Sequence, residues 1–348
     1  MIRVLIVDDS GVVRQSLRFI LESDKALTVV GEAKNGEEAV TMTRRLNPDV
    51  ITMDLHMPRM GGLDAVQRIM VENPVPIVVV TSVDLGNETE LSREAMRRGA
   101  LSVVARPTQL DDRARERFGR RLIRKVKLMS DVKVVHRSHT VVQRAPEQRS
   151  PDPAPVPRLT TTEIRIVAIG ASTGGPAALH QVIASLPGDF PVPILVVQHI
   201  SFGFVDGLAS WLDKDCALRV KVAEASDRIE PGVVYVAPDG LHLGVSSYGR
   251  IQLSSKDLVD GHRPSATFLF EAVAQSYGPA AVAAILTGMG RDGAAGMKAL
   301  HDRGAVTIAQ DEESCVVFGM PKEAIALRAI DREVSLDQIA PTIASICR

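Results

Sequence analysis

Cysteine is scarce in this 348-residue chain: three are present, Cys216, Cys315 and Cys347, far apart. That spacing argues against a disulfide framework or a zinc cluster and fits reduced thiols in a cytosol. Charge of one sign is missing too. The 41 basic and 42 acidic residues leave a net charge of −1, so no global field favours nucleic acid or an anionic membrane. No apolar run approaches the length of a bilayer span. The opening run from Met1 to Val7 is too short for a secretory signal, and Asp8 and Asp9 interrupt it. A cytoplasmic protein without direct membrane insertion is expected.

What is present is the composition of a globular protein, 45% hydrophobic and 24% charged, long enough for roughly two domains. Ile2–Val7, Thr28–Ala33, Val50–Met53, Ile77–Val80 and Ser102–Ala105 read as short buried strands. Between them, Val12–Leu21, Glu37–Leu46, Leu63–Val71 and Glu88–Arg97 carry apolar residues at helical spacing. A last basic helix shows Leu110, Ala114, Phe118, Leu122, Val126 and Met129 in near four-residue steps. Strand–helix alternation of this kind predicts a doubly wound parallel α/β sheet. From Asp131 to Thr162 the chain turns polar, with Pro146, Pro151, Pro153, Pro155 and Pro157 clustered late, the composition of an extended linker. A second α/β pattern runs from Glu163 onward. The expected division is a domain over 1–125, a flexible Pro-rich linker over 126–162 and a second domain over 163–348.

Two groups of polar residues fall at predicted strand ends. In the first domain Asp8 and Asp9 end one strand, Asp54 another and Thr81 a third, and Arg106 follows the last. Carboxylates gathered at one sheet edge repel one another unless a hard cation binds, and Mg²⁺ with phosphate ligands suits such a site. A carboxylate there can attack a phosphoryl donor and become an acyl phosphate. The plainer reading, that the acids only cap helices, accounts for one of them better than for three.

In the second domain Ser172 lies in Gly170-Ala-Ser-Thr-Gly174, a G-x-S-x-G turn directly after the run Ile166–Ile169. His199 closes the run that begins at Pro193, and Asp292 lies in a glycine-rich loop after Ala281–Leu286. In an open parallel sheet these ends share one crevice, where a hydroxyl, an imidazole and a carboxylate suggest acyl transfer. Each also has a plainer role: Ser172 or Asp292 as a helix cap, His199 as a packing residue. A dinucleotide loop fits poorly, because Ser172 stands where a glycine is required and no acid follows the second strand. An α/β-hydrolase would need a histidine after the acid, and His301 falls within the helical run Ala294–Arg303. A DNA-binding regulator would carry a short helical module instead of this α/β pattern. The basic stretch Arg113–Lys127, poor in aromatics, reads as the solvated face of a helix, so no nucleic acid partner is expected.

The segment Asp54-Leu-His-Met-Pro-Arg-Met-Gly-Gly62, with Asp8-Asp9, Thr81-Ser82 and Gly99-Ala100, resembles a response-regulator receiver domain of flavodoxin-like fold. The resemblance implies phosphorylation of Asp54. It further implies Mg²⁺ held by the acid pair Asp8 and Asp9, by Asp54 and by the His56 carbonyl, and Thr81 bonding the phosphoryl group. Two departures stand out: Arg106 where the family has lysine, and Val103 where it has an aromatic switch residue. Guanidinium and ammonium are not equivalent phosphate partners. Downstream, Gly170–Gly175, Val197-Gln-His199, Tyr235–Leu243, Arg263-Pro-Ser265, Leu286–Gly293 and Gln310 through Pro321 together resemble the catalytic domain of CheB-type protein-glutamate methylesterases.

That resemblance implies hydrolysis of glutamyl methyl esters, with glutamine deamidation, on chemoreceptor cytoplasmic helices. It implies Ser172 as nucleophile, His199 as base, Asp292 as its partner, and backbone N–H groups of Thr173 and Met289 for the oxyanion. No cofactor is expected for hydrolysis, a chemotaxis histidine kinase is the expected phosphodonor, and a monomer is expected. The rival class is a phosphorylation-controlled adaptor that binds without turnover. An unphosphorylated receiver covering the Ser172 crevice is the expected mode of control.

Overall fold

A computed structural model describes residues 1–82, 91, 94–96, 98–107, 112–130, 132, 163–200 and 202–347. Of the linker expected over 126–162, residues 131 and 133–162 lie outside the described residues, as do Leu110 and most of the helix expected over 88–97.

The first sheet is wholly parallel. Its strands β1 (Ile2–Val7), β2 (Leu27–Ala33), β3 (Val50–Met53), β4 (Ile77–Ser82) and β5 (Ser102–Arg106) lie in the order β2-β1-β3-β4-β5. Such an order places a crevice beside β1 and β3, outside their carboxyl ends. Helices α1 (Gly11–Glu22), α2 (Gly36–Leu46), α3 (Gly62–Glu72) and α4 (Asp112–Ser130) cover the two faces. Their apolar stripes close two cores, one holding Leu17, Leu21, Leu122 and Met129, the other Ala39, Ala65, Val66 and Ile69. Ser10 and Asn35 cap α1 and α2 by accepting the N–H groups of Val13 and Glu38. The helix α4 continues to Ser130, with Val126 and Met129 fully buried, so residues 126–130 are helical and not linker. The apolar stripe had already pointed there.

The second domain centres on seven parallel strands. They are β6 (Ile166–Ala171), β7 (Ile194–Gln198), β8 (Arg219–Val222), β9 (Val233–Val236), β12 (Ala281–Ile285), β13 (Val306–Gln310) and β14 (Arg332–Val334), ordered β14-β13-β12-β6-β7-β9-β8. A separate antiparallel pair joins β10 (His242–Val245) to β11 (Ile251–Ser254). The chain enters at the central strand β6, builds outward through β7, then returns to build the other side from β12. The carboxyl ends of β6, β7 and β12 are therefore neighbours. Burial on both faces explains why these strands read as unbroken apolar runs.

One face packs α5 (Gly175–Ala184), α6 (Val205–Asp215) and α10 (Leu336–Ile346) through Leu179, Leu212 and Ile343. The other packs α7 (Ala266–Ser276), α8 (Ala294–Asp302) and α9 (Met320–Ala326) through Phe270, Met297 and Ala324. Phe270 sits on the glycines at the end of β6 and at the start of α8; a Cβ on Gly170 would meet its ring at 3.0 Å and one on Gly296 its Cβ at 2.6 Å. This fully buried ring ties the sheet to the loop that carries Asp292. Phe270→Ala is expected to lower stability by about 3–5 kcal/mol. Urea unfolding of the full chain checks this; a loss of less than ~1 kcal/mol would mean the neighbours collapse into the space.

Candidate active site and receiver site

Ser172 follows β6 and is nearly buried. Its carbonyl accepts the Gly175 N–H, while the N-cap position of α5 is Gly174, with no side-chain cap, so Ser172 is not the cap of that helix. Gly174 adopts φ +77°, a conformation open to glycine, and a Cβ there would strike Val316 at 2.6 Å. The turn therefore tightens right behind the hydroxyl-bearing residue. His199 follows β7, its N–H donating to Ala171 O at 3.0 Å, which seats the imidazole beside the end of β6.

Asp292, after β12, is buried and accepts four hydrogen bonds. Its Oδ1 takes Ser265 Oγ–H at 2.6 Å and Thr267 N–H at 3.0 Å; its Oδ2 takes Ala266 N–H at 2.7 Å and meets His199 Nε2 at 2.7 Å. Burial alone would raise the carboxyl. The bonds from His199, Ser265 and the Thr267 N–H outweigh it and hold Asp292 well below the usual carboxylate range. An ionised Asp292 requires the proton on Nε2, which leaves Nδ1 as the basic nitrogen of His199. That Nδ1 is buried and has no hydrogen-bond partner among the described residues. The helix whose first N–H groups Asp292 binds is α7, not α8, whose N-cap position is Gly293 with no side-chain cap. The expected cap role is real but belongs to a distant helix.

Ser172, Thr173, Gln198 and His199 line one cavity of about 50 Å³. The N–H groups of Thr173 and Met289 donate to no acceptor among the described residues. The strand-end loops are braced by residues whose role the sequence patterns did not indicate. Gln198 Nε2 donates to both Ser172 O (2.7 Å) and His199 O (2.9 Å), linking the two loops. Thr287 Oγ1 donates to Thr173 O at 2.9 Å, and Gln310 Oε1 accepts the Thr287 N–H at 2.8 Å. His262 stacks on His199 with ring centroids 4.0 Å apart and planes within 4°. Gln198, Ser265 and Gln310 stand within the motifs that carry the family resemblance; His262 stands just before one of them. His301 instead pairs with Asp331 at 3.5 Å, away from Asp292.

The same cavity is closed from the other side by Met96, Leu101, Ser102, Val103 and Lys125 of the first domain. Val316 and Val317 also pack against the first domain's core. Two residues of the basic stretch thus depart from the solvated face expected of them. Burial, then the nearby Arg121 and Arg124, push Lys125 down to about 8, and Arg121 Nη2 is buried without a partner.

At the other sheet, Asp8 is buried and Asp9 exposed. Asp8 accepts the Ser10 N–H at 2.9 Å, and Asp54 accepts the His56 N–H at 3.2 Å. Burial and the adjacent Asp8 charge push Asp54 up to about 6; burial also raises Asp8. Carboxyl groups raised by burial and by a neighbouring carboxylate are the kind a divalent cation would neutralise. Arg106 Nη1 approaches Asp8 at 3.8 Å and has no hydrogen bond of its own. Thr81 is buried at the end of β4.

Comparison with known proteins agrees with this geometry. The CheB methylesterase family profile matches residues 167–343, and the response regulator receiver domain profile matches residues 4–115. A protein-glutamate methylesterase/protein-glutamine glutaminase of Myxococcus xanthus is 46% identical, with 100% of this chain and 97% of that protein covered. One from Syntrophus aciditrophicus is 43% identical, covering 99% of this chain and 98% of the relative. The crystal structure of the Thermotoga maritima CheB methylesterase catalytic domain superposes with a TM-score of 0.51 at 40% identity, covering 53% of this chain and 99% of that one. Matched over its whole length to proteins that carry both domains, this chain belongs to the CheB methylesterase family.

Proposed function

We infer that this protein is a phosphorylation-controlled serine hydrolase that removes methyl groups from glutamate γ-methyl esters, and deamidates glutamines, on the cytoplasmic helices of chemoreceptors. One observation carries the reading: Asp292 holds His199 by Nε2, leaving the buried Nδ1 free in the cavity that Ser172 lines. Ser172 Oγ attacks the ester carbonyl and gives its proton to His199 Nδ1. Asp292 steadies the imidazolium through Nε2. The N–H groups of Thr173 and Met289 receive the oxyanion, each donor being worth about 100- to 1000-fold in rate. The imidazolium then protonates the leaving methoxide, which departs as methanol. Water, deprotonated by the same Nδ1, cleaves the glutamyl-serine ester and regenerates a receptor carboxylate. For a glutamine substrate the leaving group is ammonia. In this mechanism the nitrogen that serves the nucleophile is Nδ1, the reverse of the Nδ1-to-carboxylate arrangement of serine proteases.

Control belongs to the receiver. Asp8, Asp9, Asp54 and the His56 carbonyl would hold Mg²⁺, which when bound supplies the charge that balances an incoming phosphoryl group. Asp54 is the phosphoryl acceptor, a chemotaxis-type histidine kinase the donor, and Thr81 and Arg106 contact the transferred group. A cavity of about 50 Å³ between the domains leaves no room for a glutamyl ester borne on a helix. The closed arrangement is therefore the resting state, and phosphorylation shifts the population to an open one. The protein acts as a cytoplasmic monomer.

Ser172→Ala is expected to abolish methanol release from methylated receptor membranes while receptor binding persists; unchanged release would favour a binding-only adaptor. With wild-type full-length protein, Mg²⁺ and acetyl phosphate should raise the rate severalfold, and Asp54→Asn should remove the response. Equal rates with and without the donor would overturn the closed-state reading. Asp54 also makes a pH prediction. A carboxyl raised above its unfolded value contributes its stability while protonated and loses it as pH rises through about 6. Asp54→Asn should therefore stabilise the Mg²⁺-free protein by on the order of 1–3 kcal/mol at pH ~8 and little at pH ~4. Urea midpoints at the two pH values check this; a pH-independent difference would contradict it.

A further inference from the structure

His199 is held at one edge by Asp292, but a ring pinned at one nitrogen can still pivot about that bond. The geometry points to His262 as the positioning residue that fixes the plane of the His199 ring and supports its positive charge during turnover. This assignment rests on the hydrolase reading above and deepens it.

Three observations carry it. The rings of His262 and His199 are stacked, 4.0 Å between centroids and 4° from parallel, so the whole face of the base is covered. The His262 ring is itself fixed: its Nδ1 lies 2.9 Å from Asp260 O, a contact that requires the proton on Nδ1. The short loop bearing it is clasped by reciprocal backbone bonds, Val259 N–H to His262 O at 3.1 Å and His262 N–H to Val259 O at 2.9 Å. Finally, the loop is bonded to the acid's own surroundings. Asp260 accepts from Thr267 Oγ1 at 3.3 Å and from Arg291 Nε at 3.0 Å, and Thr267 Oγ1 accepts the N–H of Gly293, next to Asp292, at 2.7 Å. Base, acid and stacking ring are one connected unit.

The charge of His262 matters as much as its place. Burial first, then the neighbouring His199 and the more distant Arg124, lower it to about 4, against the opposing pull of Asp292 and the Asp260 carbonyl. His262 is therefore neutral when His199 takes the serine proton. A neutral aromatic face attracts the imidazolium that forms, where a second cation would repel it.

The test compares Ser172→Ala, His262→Ala and His262→Phe in the full-length protein with Mg²⁺ and acetyl phosphate, following methanol release from methylated receptor membranes. His262→Ala should lower kcat by about 3- to 30-fold with KM changed less than about twofold. Its acid limb of kcat/KM should move to lower pH, since the imidazolium loses its support. His262→Phe, which keeps an aromatic face, should recover most of the rate and the wild-type limb. If phenylalanine is as defective as alanine, if the loss lies in KM alone, or if the limb does not move, the inference is overturned. Activity surviving in Ser172→Ala would instead overturn the hydrolase reading, so the two failures are separable.

Discussion

Much of the second domain depends on a single buried carboxylate. Asp292 closes the N-terminus of α7 by accepting the N–H groups of Ala266 and Thr267, takes the Ser265 hydroxyl, and still presents an oxygen to His199 Nε2. A buried charge without such partners would cost several kcal/mol. Here the free N–H groups at a helix start and the helix dipole supply the compensation. The acid is thereby kept ionised before any substrate arrives, which selects the tautomer of His199. Folding of α7 and readiness of the base are the same event.

The arrangement follows from topology. The chain enters the seven-stranded sheet in its middle, so the first strand, the next one built beside it and the one that starts the return side all end at one crevice. Each delivers one group. Gln198 then bridges the first two loops, and Thr287 with Gln310 braces the third against Thr173. Such bridging polar side chains hold loops that carry no regular structure of their own, at the precision that proton transfer requires.

Much of this was legible in the amino-acid sequence, for identifiable reasons. Strands buried on both faces show as continuous apolar runs, and the stripe through Phe118, Leu122, Val126 and Met129 marks a helix with one buried side. Serine, histidine and aspartate at strand ends in glycine-rich settings pointed to the crevice. What pattern could not show was partnership across long separations. Asp292 looks like the cap of the helix that follows it, yet the N–H groups it binds lie some 26 residues earlier. Lys125 looks like a solvated charge, because nothing local records that another domain covers it. His262 follows a glycine in an irregular loop, where neither helical nor strand periodicity applies.

The seam over the crevice has a thermodynamic character of its own. It encloses the Lys125 amine, whose charged neighbours are the cations Arg121 and Arg124. Whenever the two halves part, water recovers the Lys125 amine and returns part of what its dehydration cost. Such a clasp is poised more than locked. In the closed-state reading, a modest push from the acyl phosphate is then enough to release it.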